Sequence, residues 1–352
     1  MLIINQSTKT VINSEGKTIF FGLEDFIEKI VKENNCFICG AQPSSKNFNN
    51  EHIIPDWILK KYNLHSKTIT LPNLTKIKYG QYVIPCCSQC NNELGKVYEL
   101  PISKLFKKSY DEICYDLNND KSLSELLYKW LHLIFLKTHL KDNILPKDRN
   151  PNLSTGNIGD DHYWEDMHHI HCIARSHYTN AEIESEVFGT LCVLPAIKIK
   201  NAENFDFIDS QIGKTIMLQL DDICIIGVLN DSGGSYSILS NLINKITDKL
   251  SPLQIREIVA HFNFININLK ERPIYQSLIN KKEYKIKAVI PQNPPCLFDE
   301  EEKILSPGDF LEYYADSMIG NIENREVVLK ELKAGKRNFL FDEKGDFINN
   351  NL

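Results

Sequence analysis

The sequence lacks an apolar segment long enough to cross a membrane, which takes about 20 residues. Its most apolar stretch, LLYKWLHLIFL at residues 126–136, is interrupted by Lys129 and His132. The amino terminus, MLIINQSTKTVINSEGK, also lacks the basic and apolar regions of a secretory signal. We therefore expect a soluble, cytoplasmic protein that has no membrane partner.

The chain also lacks an overall positive charge, since 40 Lys and Arg stand against 46 Asp and Glu and the formal net charge is −6. This argues against a globally basic nucleic-acid binder, because phosphate affinity needs clustered Lys and Arg. One segment differs, because no acidic residue occurs between Asp56 and Glu93. Its lysines could contact phosphates or form a solvated surface. They are Lys60, Lys61, Lys67, Lys76 and Lys78.

The pattern of apolar residues predicts an α+β protein, and the 352 residues suffice for about two domains. We expect strands near residues 2–5 and 18–21, a helix over 23–32, and a helix after Cys90 that Pro101 closes or kinks. The strongest helical pattern covers about 122–140, and Ser122 or Ser124 could cap it. Beyond residue 151, strand-like and then helical segments predict a mixed α+β region. We thus expect one domain at 1–118 and a second at 119–352 that opens with the helix at about 122–140.

Four of the ten cysteines form two Cys-x-x-Cys pairs, Cys36 with Cys39 and Cys87 with Cys90. In a reducing compartment such pairs favour metal ligands or reduced thiols over disulfides. Each pair can supply two thiolates to one tetrahedral Zn²⁺. The 47 residues between Cys39 and Cys87 exceed the spacer of about 15–20 in a simple zinc ribbon, so the metal would lie at the base of an inserted unit. Cys86 is an alternative ligand, although the two-residue spacing favours Cys87.

The inserted unit contains an acid next to a histidine, Glu51-His52, and Asn91-Asn92 follow the last cysteine. A hydrolase of phosphodiester bonds needs a base to activate water, and a neutral histidine suits that role. It also needs a hard cation held by oxygen ligands, which Glu51 and either Asn91 or Asn92 could supply. A zinc site would hold the segment carrying Glu51-His52 against the helix that begins near Asn91.

The motifs CFICG, EHIIP and CSQCNNELG, at residues 36–99, resemble the HNH endonuclease family and its ββα-metal fold. The likeness is greatest to the zinc-containing members, which include phage Holliday-junction resolvases. This resemblance implies that His52 is the general base and that Glu51 and Asn91 bind a catalytic Mg²⁺ or Mn²⁺. It implies that products carry 5′-phosphate and 3′-hydroxyl ends. It also implies that the structural Zn²⁺ is bound by Cys36, Cys39, Cys87 and Cys90.

Two positions differ from the pattern of the family. Many members have Asp where this chain has Glu51, which is one methylene longer. The family's middle Asn, which orients the histidine, would fall in YGQYVIPC at residues 79–86. Tyr82 or a backbone carbonyl could take its place, and Asn73 is a more distant candidate.

The resulting hypothesis is a metal-dependent DNA endonuclease with a role in restriction or anti-phage defence. RNA stays open as a substrate. The alternative is a non-catalytic, zinc-stabilised nucleic-acid-binding or scaffold protein. The second domain would select the substrate, a homodimer partner or an activating partner, since a single HNH site cuts only one strand.

Two weaker patterns lie outside this motif. The segment DDHYWEDMHHIHCIARSH, residues 160–177, holds five histidines. On a strand, His169 and His171 would share one face and could chelate a metal, whereas packed imidazoles or a polar strand edge are the alternative. The turn NDSGGSYS, residues 230–237, precedes a predicted helix and could bind a phosphate or form a plain loop.

Overall fold

A computed structural model defines the fold and describes residues 2–200, 202, 204–320 and 322–349. The chain forms two compact units, Met1–Ser185 with Tyr275–Lys287 and Glu186–Ile274 with Ala288–Leu352. Each unit contains helices and strands, so the predicted α+β class is confirmed. Among the described residues, every helix falls short of the length and apolar character needed to cross a membrane.

The helices and strands are numbered in chain order. The strands are β1 (Leu2–Ile4), β2 (Val11–Asn13), β3 (Thr18–Phe20), β4 (Phe48–His52), β5 (Thr68–Thr70), β6 (Lys76–Lys78), β7 (Val83–Cys87), β8 (Glu182–Ile183), β9 (Leu191–Pro195), β10 (Phe205–Ser210), β11 (Thr215–Leu220), β12 (Ile223–Val228), β13 (Ile274–Ile279) and β14 (Tyr284–Val289). The helices are α1 (Leu23–Asp25), α2 (Asp56–Lys61), α3 (Ser88–Leu94), α4 (Leu100–Leu105), α5 (Tyr110–Asn119), α6 (Lys121–Asp142), α7 (His168–Ala174), α8 (Ser176–Thr179), α9 (Gly234–Ile243), α10 (Pro252–Ile267), α11 (Pro307–Ile319) and α12 (Arg325–Lys333).

The first unit is built from small sheets around one long helix. Strands β1, β2 and β3 form an antiparallel sheet, and the predicted helix over 23–32 follows as α1 and a π-helical segment, Phe26–Lys32. Strands β4 and β7 pair antiparallel, from Phe48 opposite Cys87 to His52 opposite Val83. Helix α2 and the β5–β6 hairpin lie between these two strands in the chain, and α3 follows β7 directly. The segment from β4 to α3 therefore has the order strand, insertion, strand, helix.

The helix that begins at Ser88 does not end at Pro101. A π-helical segment, Gly95–Glu99, joins α3 to α4, and the N–H of Leu100 donates to the carbonyl of Gly95. Pro101 then falls in the first turn of α4, where a missing N–H costs little. The chain thus stays helical through Pro101, with the π-helical segment directly before α4.

Helix α6 confirms the strongest helical prediction and extends over 22 residues. Its N-cap is Asp120, whose carboxylate accepts the N–H of Leu123 at 3.2 Å, and not Ser122 or Ser124. All residues from 130 to 140 are buried, so the helix is enclosed on every side. The boundary expected between 118 and 119 therefore falls inside the first unit, because α6 packs on β7 and α7 of that unit.

Helix α7 forms the middle of the histidine-rich segment, where a strand was the alternative that would have placed His169 and His171 on one face. Residues two apart on a helix point about 200° apart, so His169 and His171 do not share a face. The ring of His169 stacks on Tyr275, with centroids 4.2 Å apart, and buried His171 donates from Nε2 to the carbonyl of Phe37 at 2.8 Å. The alternative of packed imidazoles fits both residues.

The second unit contains an antiparallel sheet in the order β10-β11-β12-β9, against which α10 packs. Every residue of β11 and β12 is buried, as their apolar sequences predict. The turn before α9 is closed by buried Asp231, which accepts the N–H groups of Thr190 at 2.8 Å, Gly233 at 3.1 Å and Ser235 at 2.9 Å. This carboxylate occupies the position considered for a phosphate, so the turn is a plain loop.

Candidate metal centre and active site

The sulfur atoms of the two Cys-x-x-Cys pairs converge in the first unit. One Sγ from each of four cysteines lies within 4.8 Å of the other three, namely Cys36, Cys39, Cys87 and Cys90. The Sγ atoms of Cys39 and Cys87 are 3.7 Å apart. Zn–S bonds of about 2.3 Å in a tetrahedron give sulfur atoms about 3.8 Å apart. The four cysteines therefore form a cluster that could bind a metal such as zinc, as their spacing predicts.

Cys86 lies next to this cluster but outside the group of four. Its Sγ is 3.8 Å from that of Cys36. A hydrogen bond to Cys36, together with burial, raises the pKa of Cys86, as a hydrogen bond to Cys36 also raises the pKa of Cys39 and of Cys90. Conversely, hydrogen bonds from Cys39, Cys86 and Cys90 lower the pKa of Cys36 and favour its thiolate. Because Cys87, and not Cys86, belongs to the group of four whose sulfur atoms lie within 4.8 Å of one another, the geometry favours Cys87 as the ligand.

The backbone of the first pair forms a tight turn around its sulfurs. The N–H of Gly40 donates to the carbonyl of Cys36 at 2.7 Å, and the N–H of Cys36 donates to Ala41 at 2.9 Å. Gly40 has φ +75°, and a Cβ there would lie 2.4 Å from the ring of Phe21. The glycine of CFICG is therefore required both by its backbone angle and by the neighbouring ring.

Side chains from the end of α7 hold the carbonyls of the same turn. Nε2 of His171 donates to Phe37, and Nε of buried Arg175 donates to Ile38 at 2.5 Å. Arg175 also donates to the carbonyl of Thr18 in β3 at 2.6 Å. Both partners come from the histidine-rich segment, so part of that segment supports the cysteine cluster from outside the ligand set.

Glu51 lies on the buried face of β4 and is paired with a cation. Nζ of Lys137, in α6, is 2.7 Å from Oε1 of Glu51 and also donates to the carbonyl of His52 at 2.7 Å. The two side chains are only 4% and 7% exposed. Sequence analysis missed Lys137, because it is 86 residues from Glu51 and belongs to no local motif.

Asn91 connects α3 to the strand that carries Glu51. Its Nδ2 donates to Oδ1 of Asn49 at 2.9 Å. Asn49 precedes Glu51 by two residues in β4, so both side chains belong to the same face of the strand. Asn92, by contrast, is exposed. Of the two asparagines considered as oxygen ligands, Asn91 is therefore the one that faces the hairpin.

His52 is half-buried and lies on the opposite face of β4 from Glu51. The ring of His65 lies 5.9 Å from that of His52, centroid to centroid. Nε2 of His65 is 3.1 Å from Oδ1 of Asp56, at the start of α2. His65 and Asp56 are thus near the candidate base, although no local motif identified them in the sequence.

A third carboxyl group, Glu99, belongs to the same neighbourhood. Burial raises the pKa of Glu99 to about 7, and the charges of Glu51 and Asp56 act in the same direction while Lys137 opposes them. Glu99 ends the π-helical segment after α3. The candidate site thus combines three carboxyl groups, two histidines and one buried lysine.

Two residues were candidates to replace the middle asparagine of the family, Asn73 and Tyr82. The side chain of Asn73 makes hydrogen bonds in its own turn and to another loop, and Tyr82 contacts the residue directly after β4 through its backbone carbonyl. Asn73 donates from Nδ2 to the carbonyl of Pro146 at 2.8 Å and accepts the N–H of Thr75 at 3.0 Å. The carbonyl of Tyr82 accepts the N–H of Ile53 at 3.0 Å, which extends the pairing of β4 and β7. Asn73 therefore serves its own turn, and Tyr82 fixes the backbone directly after His52.

The lysines of the segment without acidic residues are all exposed. Lys60 forms an ion pair with Asp56 at 2.5 Å. Lys76 and Lys78 are two residues apart on β6 and share one face of the β5–β6 hairpin. Contact of these lysines with nucleic acid remains a prediction.

Comparison with known proteins returned no match to a family model, a curated protein or a solved structure. The resemblance to HNH endonucleases therefore rests on the motifs of this chain, with the described geometry beside them.

Proposed function

We propose that the protein is a metal-dependent HNH-type endonuclease that hydrolyses phosphodiester bonds in DNA. The observation that carries this proposal is the hydrogen bond of 2.9 Å between Asn91 and Asn49. It joins the start of α3 to the face of β4 that bears Glu51. The antiparallel pairing of β4 with β7, followed directly by α3, supports a ββα-metal unit within the first unit of the chain.

In the proposed mechanism, His52 acts as the general base. A neutral imidazole takes a proton from a water molecule, and the resulting hydroxide attacks phosphorus in line with the departing 3′ oxygen. The hydrogen bond from Lys137 to the carbonyl of His52 fixes the backbone that carries this ring. Products with 5′-phosphate and 3′-hydroxyl ends follow from the resemblance.

Two oxygen donors of the candidate site suit a hard cation. The carboxylate of Glu51 and the amide oxygen of Asn91 are the ligand types that Mg²⁺ and Mn²⁺ prefer. When bound, such a cation would stabilise charge on the phosphate and on the leaving oxygen. Zinc at the four cysteines would keep β7 and the start of α3 in place, since Cys87 and Cys90 belong to these elements.

The exposed lysines between β4 and β7 support nucleic acid as the substrate. Each can neutralise a phosphate without burying its own charge. In the proposed function the second unit selects substrate, a homodimer partner or an activating partner, in a restriction or anti-phage role. RNA remains the alternative substrate. Incubating the protein with DNA and, separately, with RNA shows which of the two it cuts.

A non-catalytic, zinc-stabilised binding or scaffold protein is the second candidate. The ion pair between Glu51 and Lys137 favours it, because the carboxylate already has a cationic partner at 2.7 Å. A protein of this kind would need the cysteine cluster but neither His52 nor a hard cation.

Nicking of supercoiled plasmid in Mg²⁺ or Mn²⁺ tests the proposal. Wild type should relax the plasmid, and His52→Ala should not while it retains its zinc. Asn91→Ala and Asn92→Ala form a matched pair of neighbours, of which only the first should lose activity. Equal activity of wild type and His52→Ala would refute the assigned base. Plasmid binding by both proteins without cutting would favour the second candidate.

A further inference from the structure

Three potential ligands meet at the end of α6, away from the cysteine cluster. His139 lies in the last turn of α6, Asp142 is its last residue, and His162 follows a short 3₁₀ segment, Ile158–Asp161. Nδ1 of His139 and Nε2 of His162 each lie 3.0 Å from Oδ2 of Asp142. The three ligand atoms all lie within 4.8 Å of one another.

This group is buried and includes a carboxylate. The side chains of His139, Asp142 and His162 are 2%, 4% and 12% exposed. A buried carboxylate is costly unless a positive charge or several hydrogen bonds compensate it. Two neutral imidazoles would satisfy it by hydrogen bonds, whereas a divalent cation bound by all three would also neutralise its charge.

We propose that His139, Asp142 and His162 form a second metal site, for a divalent transition metal such as Zn²⁺. Two imidazole nitrogens and one carboxylate oxygen are ligands of this class, whereas Mg²⁺ prefers oxygen alone. Bonds of about 2.0–2.2 Å to a tetrahedral ion give ligand atoms about 3.3–3.6 Å apart, so contacts of 3.0 Å need to lengthen only slightly. A fourth position is left for water or another ligand.

Neighbouring aromatic rings hold the two imidazoles in this arrangement. The ring of Phe135 lies edge-on to His139, with centroids 4.4 Å apart, and Trp164 lies 5.7 Å from His162. The rings of His139 and His162 are themselves nearly perpendicular, at 88°. The bound ion would fix the segment that ends at His162 to the last turn of α6. This site is independent of the proposed nuclease activity.

The test must separate a metal site from a hydrogen-bonded triad. His162→Gln keeps an N–H donor for Asp142 but removes the imidazole ligand. The matched control is His132→Gln. His132 is a buried histidine of α6 that lies outside the triad and hydrogen bonds to the carbonyl of Tyr128 at 3.0 Å. Circular dichroism of each variant establishes that it is folded before metal is added.

The full chain is stripped of metal, titrated with Zn²⁺ or Co²⁺, and freed of unbound ion before its metal content is measured. Wild type and His132→Gln should retain two equivalents per chain, and His162→Gln one. With Co²⁺, the equivalent lost should be the one whose absorption spectrum lacks sulfur-to-metal charge transfer. If wild type retains only the thiolate-bound ion, or His162→Gln retains both, the proposal is overturned. If His162→Gln does not fold, a wild type that retains only the thiolate-bound ion still overturns the proposal.

Discussion

Removal of the ammonium group of Lys137 should destabilise the first unit severely. In the folded protein this group contacts Oε1 of Glu51 and the carbonyl of His52, each at 2.7 Å, and both side chains of the ion pair are almost fully buried. In Lys137→Met the carboxylate stays buried without its partner, which costs about 3–5 kcal/mol. Because a whole domain is stable by about 5–15 kcal/mol, this is a large fraction of the total.

Urea unfolding followed by tryptophan fluorescence measures this effect in the right part of the chain. The protein has three tryptophans, and all of them, Trp57, Trp130 and Trp164, belong to the first unit. Lys129→Met is the matched control, since Lys129 lies two turns earlier on α6 and is half-buried. It should change the free energy of unfolding by less than about 1 kcal/mol. A loss below about 1 kcal/mol for Lys137→Met would refute the structural role of the ion pair.

The same variants address the proposed cation. Glu51→Gln combined with Lys137→Met should recover part of the lost stability, because the buried charge is removed along with its partner. If Glu51 binds a hard cation, Mg²⁺ should raise the free energy of unfolding of Lys137→Met more than that of wild type. The double variant lacks the carboxylate, so Mg²⁺ should not produce this additional increase there. An equal Mg²⁺ response in all three proteins would contradict the assignment of Glu51 as a ligand.

Three further changes test other parts of the molecule. Burial raises the pKa of Glu257 to about 7 from an ordinary 4.5, so the folded state retains a proton that the unfolded state releases, and its stability falls as pH rises through this window. The free energy of unfolding of Glu257→Gln, relative to that of wild type, should therefore increase by up to about 3 kcal/mol from pH 4.5 to pH 8. Native-state hydrogen exchange of α10 measures this difference, and a difference that does not change with pH would contradict the prediction. Gly40→Ala should cost at least about 1–2 kcal/mol, because φ is +75° there, and an unchanged Tm would count against it. Cys90→Ser should lose the thiolate-bound metal and weaken amide protection in β4 and β7, whereas full metal content would show that Cys90 is not a ligand.

Sequence reasoning identified the groups whose partners are encoded nearby. The cysteine pairs are recognisable because two thiolates of one metal site need a fixed local spacing. Glu51-His52, whose role stays a prediction, is likewise a pair of adjacent residues, and Asn91 directly follows Cys90. Helix α6 was predictable because its 22 residues are rich in leucine and contain neither glycine nor proline. In each case the feature that makes the pattern recognisable depends on residues that are close to one another in the sequence.

What the sequence did not reveal depends on tertiary contact. Lys137 belongs to an ordinary apolar helix, and only packing brings its ammonium to Glu51. The same applies to His65 beside His52, and to His162, which meets His139 and Asp142 across a loop. The extent of the first unit is a further example, since the sequence of α6 does not say which strands and helices will cover it.

The ion pair at Glu51 does not by itself decide between catalysis and binding. A carboxylate has two oxygens and about four acceptor sites, so contact of Oε1 with Lys137 is compatible with a cation at the other oxygen. The buried ammonium also fixes Glu51 and the backbone of His52 in one geometry through its two hydrogen bonds. A binding protein gains only the fold from this arrangement, whereas a nuclease also gains an oriented base and ligand. The response of Lys137→Met to Mg²⁺ therefore tests Glu51 as a cation ligand, and the nicking assay with His52→Ala decides between catalysis and binding.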